Sequence, residues 1–315
     1  MRQTERREHG MTDHHAGNEA YYVPHDSKLP VWLALGLIMF MYGFGSSLNA
    51  NADGSDASTF LTWAGFGIIG VTLYVWFATV IKENHAGLAS AQLKRSYVWG
   101  MGWFIFSEVM FFAAFFGALY YVRNFAVPWL GGEGEKGMAG QYLWPSFSPE
   151  WATGTNPSEY RPGPAETMAA PALGSSWLSY LPFWNTAILL FSSFTIHWAH
   201  TGLKAGKRAM LTGWLAFTVL LGIIFLFLQV EEYIHAYEAL GLTLESGIYG
   251  STFFILTGFH GFHVTLGTFM LAMCLVRVLR GHFSPEDHFG FEACSWYWHF
   301  VDVVWMGLFI FVYIF

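Results

Sequence analysis

The sequence predicts an all-α polytopic membrane protein of seven transmembrane helices, and three observations predict it. Charged residues make up only 12% of the 315-residue chain, about half the share usual in soluble domains. Mean hydropathy is +0.37 and aromatics reach 19%, with 31 Phe and 15 Trp. A water-soluble globule has too little interior to hide so much apolar surface, so lipid is the natural solvent. Seven windows are then long and apolar enough to span a bilayer: 29–49, 60–82, 97–122, 181–203, 211–231, 248–279 and 291–315. Each meets the need for about 20 mostly apolar residues, and none shows the alternation of a membrane barrel.

The third observation is the placing of the bases. With the N-terminus in the cytoplasm, twelve of the fifteen Lys and Arg residues fall on the inner side (Arg2, Arg6, Arg7, Lys28, Lys82, Lys94, Arg95, Lys204, Lys207, Arg208, Arg277 and Arg280). Arg123, Lys136 and Arg161 are left outside. This is the asymmetry of the positive-inside rule, and it puts Phe315 outside. Most spans are rich in small residues, such as Gly65, Gly67 and Gly70 in the second and Gly258, Gly261 and Gly267 in the sixth. Small residues let helices approach closely where lipid removes the hydrophobic drive.

Two segments stand apart from this membrane domain of residues 29–315. Residues 1–28 are a polar cytoplasmic tail without an apolar stretch behind Arg2, Arg6 and Arg7, so no cleavable signal is expected; Met11 is an alternative start. Residues 123–180 are rich in Gly, Pro, Ser and Trp, as in GGEGEKGMAG and NPSEYRPGPAE. That composition predicts a long outer loop of irregular, solvated backbone, either disordered or docked on a partner.

Ionisable residues inside spans are costly and read as functional by default. Glu108, in SEVMFFAAFF, sits about eleven residues into the third span, near mid-membrane at 1.5 Å per residue. Its sequence neighbours are apolar or small, so either a protonated carboxyl satisfying a neighbouring helix or a proton-handling or reactive acid is expected. His260, His263, His299 and Asp302 are its candidate partners on other spans. His260 and His263 in the sixth span, and His299 and Asp302 in the seventh, each stand at i, i+3 on one helix face and are read as a buried polar network. Haem ligation by such pairs would need a second pair at matching depth, and His197 and His200 lie near the inner end of the fourth span. Inter-helix hydrogen bonds are the better reading. Glu231 and Glu232 close the fifth span and are expected to be solvated. Cys274 and Cys294 form no metal or disulfide spacing and read as small buried hydrophobes. No Walker loop, dinucleotide fingerprint, HExxH or nucleophile elbow is present, so neither a catalytic residue nor a metal ligand set is expected. No basic stripe points to nucleic acid.

SEVMFF, LQVEEY, YGSTFFILTGFHGFHV and HFGFEACSWYWHFVDVVW resemble the signature stretches of the cytochrome c oxidase subunit III family. The resemblance runs in order through the membrane domain, apart from the 123–180 loop. It implies a chain without haem or copper of its own, packed beside subunit I in a complex with subunit II and other oxidase subunits that carry those cofactors. Cytochrome c would be the substrate of that complex. It further implies helices 1–2 set in a V against helices 3–7, with structural phospholipids in the cleft, and a role in stabilising the oxidase and sustaining proton uptake. Glu108 matches the family's carbodiimide-reactive carboxyl. Trp76, Lys82 and Glu83 (the last two in VIKE), with Arg277 and His282, resemble its lipid-headgroup contacts; anionic headgroups suit inner-side bases. Lys82 stands where the family usually has Arg, which keeps the charge and loses the planar fork. Phe77 stands where a second Trp is common.

The length of the 123–180 loop points to a bacterial plasma membrane rather than the mitochondrial inner membrane. Three other functions compete. Subunit III of a quinol oxidase typically lacks the first two spans, which are present here. A haem-bearing cytochrome would use His197, His200, His260 and His263. A transporter coupled through Glu108 would be expected to show inverted repeats, which are not evident.

Overall fold

A computed structural model of the chain describes residues 22–23, 26–53, 59–152, 156–157, 163–171 and 177–315, with backbone alone at 51–53. Most of the 1–28 tail, including Met11, and parts of the loops, including Arg161, lie outside the described residues. Among the described residues every regular element is helical. Seven helices are long: α1 (Leu29–Asp53), α2 (Phe60–His85), α3 (Ala91–Tyr121), α4 (Leu181–Lys204), α5 (Arg208–Glu238), α6 (Ile248–Leu279) and α7 (Phe289–Leu308). All but α4 are both long and apolar enough to cross a membrane. α4 has the length, 24 residues, and falls short in hydropathy because Asn185, Thr186, Ser192, Ser193, Thr195, His197 and His200 interrupt it.

Several helices outrun the windows read from hydropathy. α5 continues to Glu238 rather than ending at 231, and α3 begins at Ala91 rather than 97. Hydropathy marks only the stretch that suits hydrocarbon, whereas a helix continues for as long as its backbone bonds persist. α3 passes through a π-helical turn at Val122–Ala126 into Val127–Leu130, and α7 into another at Phe309–Ile314. α4 starts with a proline in its first turn (Pro182), where the missing N–H is no loss. It ends at Gly206, whose φ of +66° suits glycine. The N–H groups of Gly206 and Lys207 bond back to Leu203 and Gly202, closing a tight α4–α5 hairpin.

The chain divides into two compact units, Met1–Trp99 and Gly100–Phe315, with the break inside α3. In the first unit α1 and α2 pair through glycines. A Cβ on Gly65 would lie 2.4 Å from the Phe40 backbone nitrogen, and one on Gly43 would lie 2.4 Å from that of Thr62. Gly67 and Gly70, equally small, face open space. In the second unit Trp298 fills the space left by Gly222 and Gly267, and Phe225, Phe253, Tyr297 and Trp305 complete a core of fully buried rings.

Segment 123–180 holds more regular structure among its described residues than the expected irregular loop. It contains short helices at Met138–Leu143 and, as 3-10 turns, at Glu135–Gly137 and Trp177–Ser179. Part of it docks on this chain's own helices. Met168 is buried, its N–H donating to the Tyr249 hydroxyl at 3.1 Å and its carbonyl accepting from Tyr180 at 2.9 Å. Ala165 and Ala170 donate to the carbonyls of Leu240 and Tyr313. Two tyrosine hydroxyls and two backbone carbonyls supply these anchors.

Gly65→Ala should therefore destabilise the α1–α2 pair by roughly 1–3 kcal/mol, the usual cost of overpacking against an unyielding backbone. Gly67→Ala should be neutral. Thermal unfolding of the purified protein checks both, and equal effects would remove the glycine contact as the cause.

Candidate functional site

Besides Glu292 at the start of α7, three carboxylates on the long helices of the second unit are buried or half-buried and met by side chains from other helices: Glu108, Glu232 and Asp302. Glu108, on α3, places Oε2 3.0 Å from Nε2 of His263 on α6. The other ring nitrogen of His263, Nδ1, lies 2.6 Å from the Phe259 carbonyl. A carbonyl only accepts, so Nδ1 carries a proton and a neutral His263 offers a lone pair at Nε2. The bond to Glu108 then requires a proton between the two groups, on the carboxyl or on the imidazole. Phe112 and Tyr297 close around the ring, with centroids 4.9 and 6.4 Å away. Glu108 keeps 22% of its side chain exposed, and its neighbours Ser107, Val109 and Met110 face outward. The carboxyl is thus partly exposed at the surface of this unit while its partner is enclosed.

The i, i+3 pairs on α6 and α7 do not join into one network. His260 is fully buried and its Nε2 donates to the Val301 carbonyl at 3.2 Å. His299 Nδ1 lies 3.0 Å from the Ser193 hydroxyl, and Ser193 donates to Asp302 Oδ2. The arrangement is a relay His299–Ser193–Asp302 bridging α7 and α4, separate from Glu108–His263. Shared helix faces brought His299 and Asp302 together, but their link is a serine on α4 that hydropathy had hidden. The four histidines weighed for haem divide likewise. His197 is exposed, His200 faces Glu292, and His260 and His263 are held as described.

Glu232 corrects the expectation of a solvated acid. It is only 1% exposed, because α5 continues beyond it and carries it into the bundle. Asn185 donates to Oε2 at 3.3 Å and the Tyr313 hydroxyl to Oε1. The adjacent Glu231 is exposed. Two acids in succession on a helix point in different directions, which is the signal the sequence offered. Cys274 and Cys294 are free thiols on α6 and α7, with their sulfurs 3.2 Å apart.

In the first unit Tyr22 donates to Glu83 Oε1 at 3.1 Å. With Val23, Trp76, Val80, Leu93 and Tyr97 these residues line an open cleft of about 250 Å³. Lys82 is exposed beside it on α2. In the second unit the Arg277 guanidinium lies 4.2 Å above the ring of Phe283, and His282 follows in the same turn, its N–H donating to the Arg277 carbonyl at 3.0 Å. Trp76 and Glu83 thus share one cleft, and Arg277 and His282 share one helix end.

Comparisons with known proteins bear on the whole chain. The family model for cytochrome c oxidase subunit III matches residues 171–315. The chain is 37% identical over 295 residues to cytochrome c oxidase subunit 3 of Tetraodon nigroviridis, covering 93% of this chain and 96% of the relative. The Sus scrofa protein of the same name matches with the same identity and coverage. That of Papio hamadryas is 40% identical over 244 residues, 77% of this chain and 79% of its own.

The hydrogen bond needs one proton between Glu108 and His263, and placing it on the carboxyl avoids separated charge in hydrocarbon. Infrared difference spectra should show a protonated carboxyl band that vanishes in Glu108→Gln, whose amide can donate to the same Nε2 and keep the fold. Carbodiimide labelling of the chain should vanish with it. Carboxylate bands at neutral pH would place the proton on His263 instead.

Proposed function

The chain belongs to the cytochrome c oxidase subunit III family, and from that premise we propose that it is a non-catalytic core subunit of a proton-pumping cytochrome c oxidase. The observation that carries this reading is the match to relatives of that name over 93% of the chain. The relatives' name specifies cytochrome c, which favours it over quinol as the electron donor of the complex. α4 serves as the seventh span: its polar side chains Asn185, Ser192 and Thr195 are fully buried, so its low hydropathy reflects what it shows its neighbours rather than lipid.

In this role the chain binds no haem or copper and packs against subunit I, which with subunit II supplies both. It stabilises that subunit and supports proton uptake while oxygen is reduced to water. The support for a part in proton handling is the proton that the Glu108–His263 bond requires. The support for phospholipid binding is the aromatic cleft bearing Trp76 and Glu83 with Lys82 beside it, and the base Arg277 at the corresponding inner end of α6. Headgroup phosphates suit such bases and acyl chains suit such rings. The proposed location is a bacterial plasma membrane with the N-terminus inside, on the length of the 123–180 segment and the distribution of Lys and Arg, although the relatives named above are vertebrate.

An affinity tag on this chain should bring down haem- and copper-containing subunits that oxidise cytochrome c, and the isolated chain should show no haem absorption. Haem bound to the isolated chain would turn the reading toward a membrane cytochrome. Reporters at 50–59, at 232–247 and after Phe315 should read outside; a cytoplasmic C-terminus would remove the seven-span topology.

The lipid reading has its own test. Replacing both Lys82 and Arg277 by Ala should lower the anionic phospholipid that copurifies with the complex and shorten its active lifetime. Lipid content equal to that of the wild type would count against headgroup binding at these bases.

A further inference from the structure

At the inner end of the second unit, three side chains converge on a point that no part of the proposed function uses. His200 lies in the last turn of α4, and His288 and Glu292 stand at i, i+4 at the start of α7. Nε2 of His200 and Nε2 of His288 each lie 3.3 Å from the same oxygen, Glu292 Oε1. Both nitrogens are buried, yet neither makes a hydrogen bond. All three donor atoms fall within 4.8 Å of one another.

The proton bookkeeping of His288 sharpens this. Its Nδ1 lies 3.1 Å from the Ser284 carbonyl, which only accepts, so Nδ1–H is the donor and Nε2 of the neutral ring is a lone pair. That lone pair faces a carboxylate oxygen, and a second imidazole nitrogen faces the same oxygen. The His288 lone pair against that oxygen is repulsive unless a proton or a metal cation lies between them. The Ser284 carbonyl is also the kind of outer partner that fixes the tautomer and orientation of a ligating histidine. The turn holding it is itself tied, the Asp287 N–H donating to the Ser284 hydroxyl at 3.1 Å.

We propose that His200, His288 and Glu292 form a binding site for a divalent transition-metal ion, Zn²⁺ by its donor chemistry. Zinc takes imidazole nitrogen and carboxylate oxygen at about 2.0–2.1 Å in a tetrahedron, which puts the ligand atoms about 3.3 Å apart. Two of the three edges here already have that length. The third closes by a turn of the His200 or His288 ring, whose centroids are 5.5 Å apart. Imidazole with a single carboxylate suits zinc and leaves a fourth position for water, whereas calcium and magnesium want more oxygen ligands. The side chains of His200, His288 and Glu292 are 19%, 11% and 28% exposed, which leaves an ion a way in. Bound there, the ion ties the end of α4 to the start of α7. The site uses this chain's residues alone and does not depend on the oxidase reading.

The test uses the full chain purified with its natural partner subunits, stripped with chelator and then titrated with Zn²⁺ alone. Retained zinc is counted by mass spectrometry and its ligands are read by X-ray absorption. Compared with wild type, Glu292→Gln and His200→Gln should each lose about one equivalent of zinc at micromolar free metal, or bind it at least tenfold more weakly, in line with the general sensitivity of metal sites to their ligands. His197→Gln, on the same helix and exposed, should match wild type. The absorption spectrum of the wild type should show two imidazoles on the ion that is lost in the variants. Zinc content unchanged in Glu292→Gln overturns the proposal, and so does a wild type that retains no zinc, in which case a proton alone fills the gap. Should the variants fail to assemble, the wild-type spectrum decides, because zinc with fewer than two imidazole ligands overturns the assignment.

Discussion

The second unit is organised around the polar face of α4. In a bilayer a polar side chain without a partner is costly, and α4 carries more of them than any other long helix without being expelled. Five of them, Asn185, Thr186, Ser192, Ser193 and Thr195, become partners for neighbouring helices. Trp298 donates its indole N–H to Ser192 at 2.8 Å and Trp305 donates to Thr186 at 3.0 Å. Thr195 and Thr218 join α4 to α5 at 2.8 Å. Ser193 holds His299 and Asp302, and Asn185 holds Glu232. The two largest fully buried side chains of the unit are thus positioned by two small hydroxyls, and two of its three inward carboxylates are reached from the same helix. Such bonds between membrane helices contribute about 0.6–2 kcal/mol each. Their number along one helix is what sets its rotation against α5 and α7.

The first unit is built by another means. α1 and α2 carry few polar groups, and the large exposed side chains on them, among them Trp32, Phe44, Trp63 and Phe66, suit a lipid surface. Among the described residues no side-chain hydrogen bond joins them, and the two helices depend on close backbone approach at Gly43 and Gly65. One unit is therefore sensitive to volume at particular glycines and the other to loss of polar partners. The difference follows from where each sequence places its small and polar residues.

How far the sequence showed this in advance depended on the range of the interaction. The positions of the helices were legible, because twenty apolar residues in succession admit few other structures. That Glu108 needs a partner on another span was also legible, and His263 was among the candidates. The ends of α3 and α5 were not, since hydropathy falls before the helix does. Glu232 was misread for that reason, its windowed span ending where its helix continues. The relay through Ser193 was hidden because a serine in an apolar run looks inert until its neighbours at a distance of more than 100 residues are known. The convergence of His200 with His288 and Glu292 joins residues nearly ninety apart in the chain, and no spacing rule reaches that far. The docking of Met168 was hidden in the same way, in a segment whose composition reads as solvated.

The three inward acids share one solution. Glu108 meets a histidine, Asp302 a serine, and Glu232 an asparagine and a tyrosine. These partners carry no fixed positive charge. A Lys or Arg in their place would form an ion pair whose desolvation can exceed its Coulomb attraction in so dry a medium. A neutral donor leaves each carboxyl free to hold or release a proton at the cost of one charge rather than two. Of these three, Glu108 keeps 22% of its side chain exposed, whereas Asp302 is 4% exposed and Glu232 1%. The enclosed two hold helices together, since any proton leaving them would have to cross a packed core. Glu108 differs in access rather than in chemistry, and access is what separates a structural carboxyl from one able to exchange its proton.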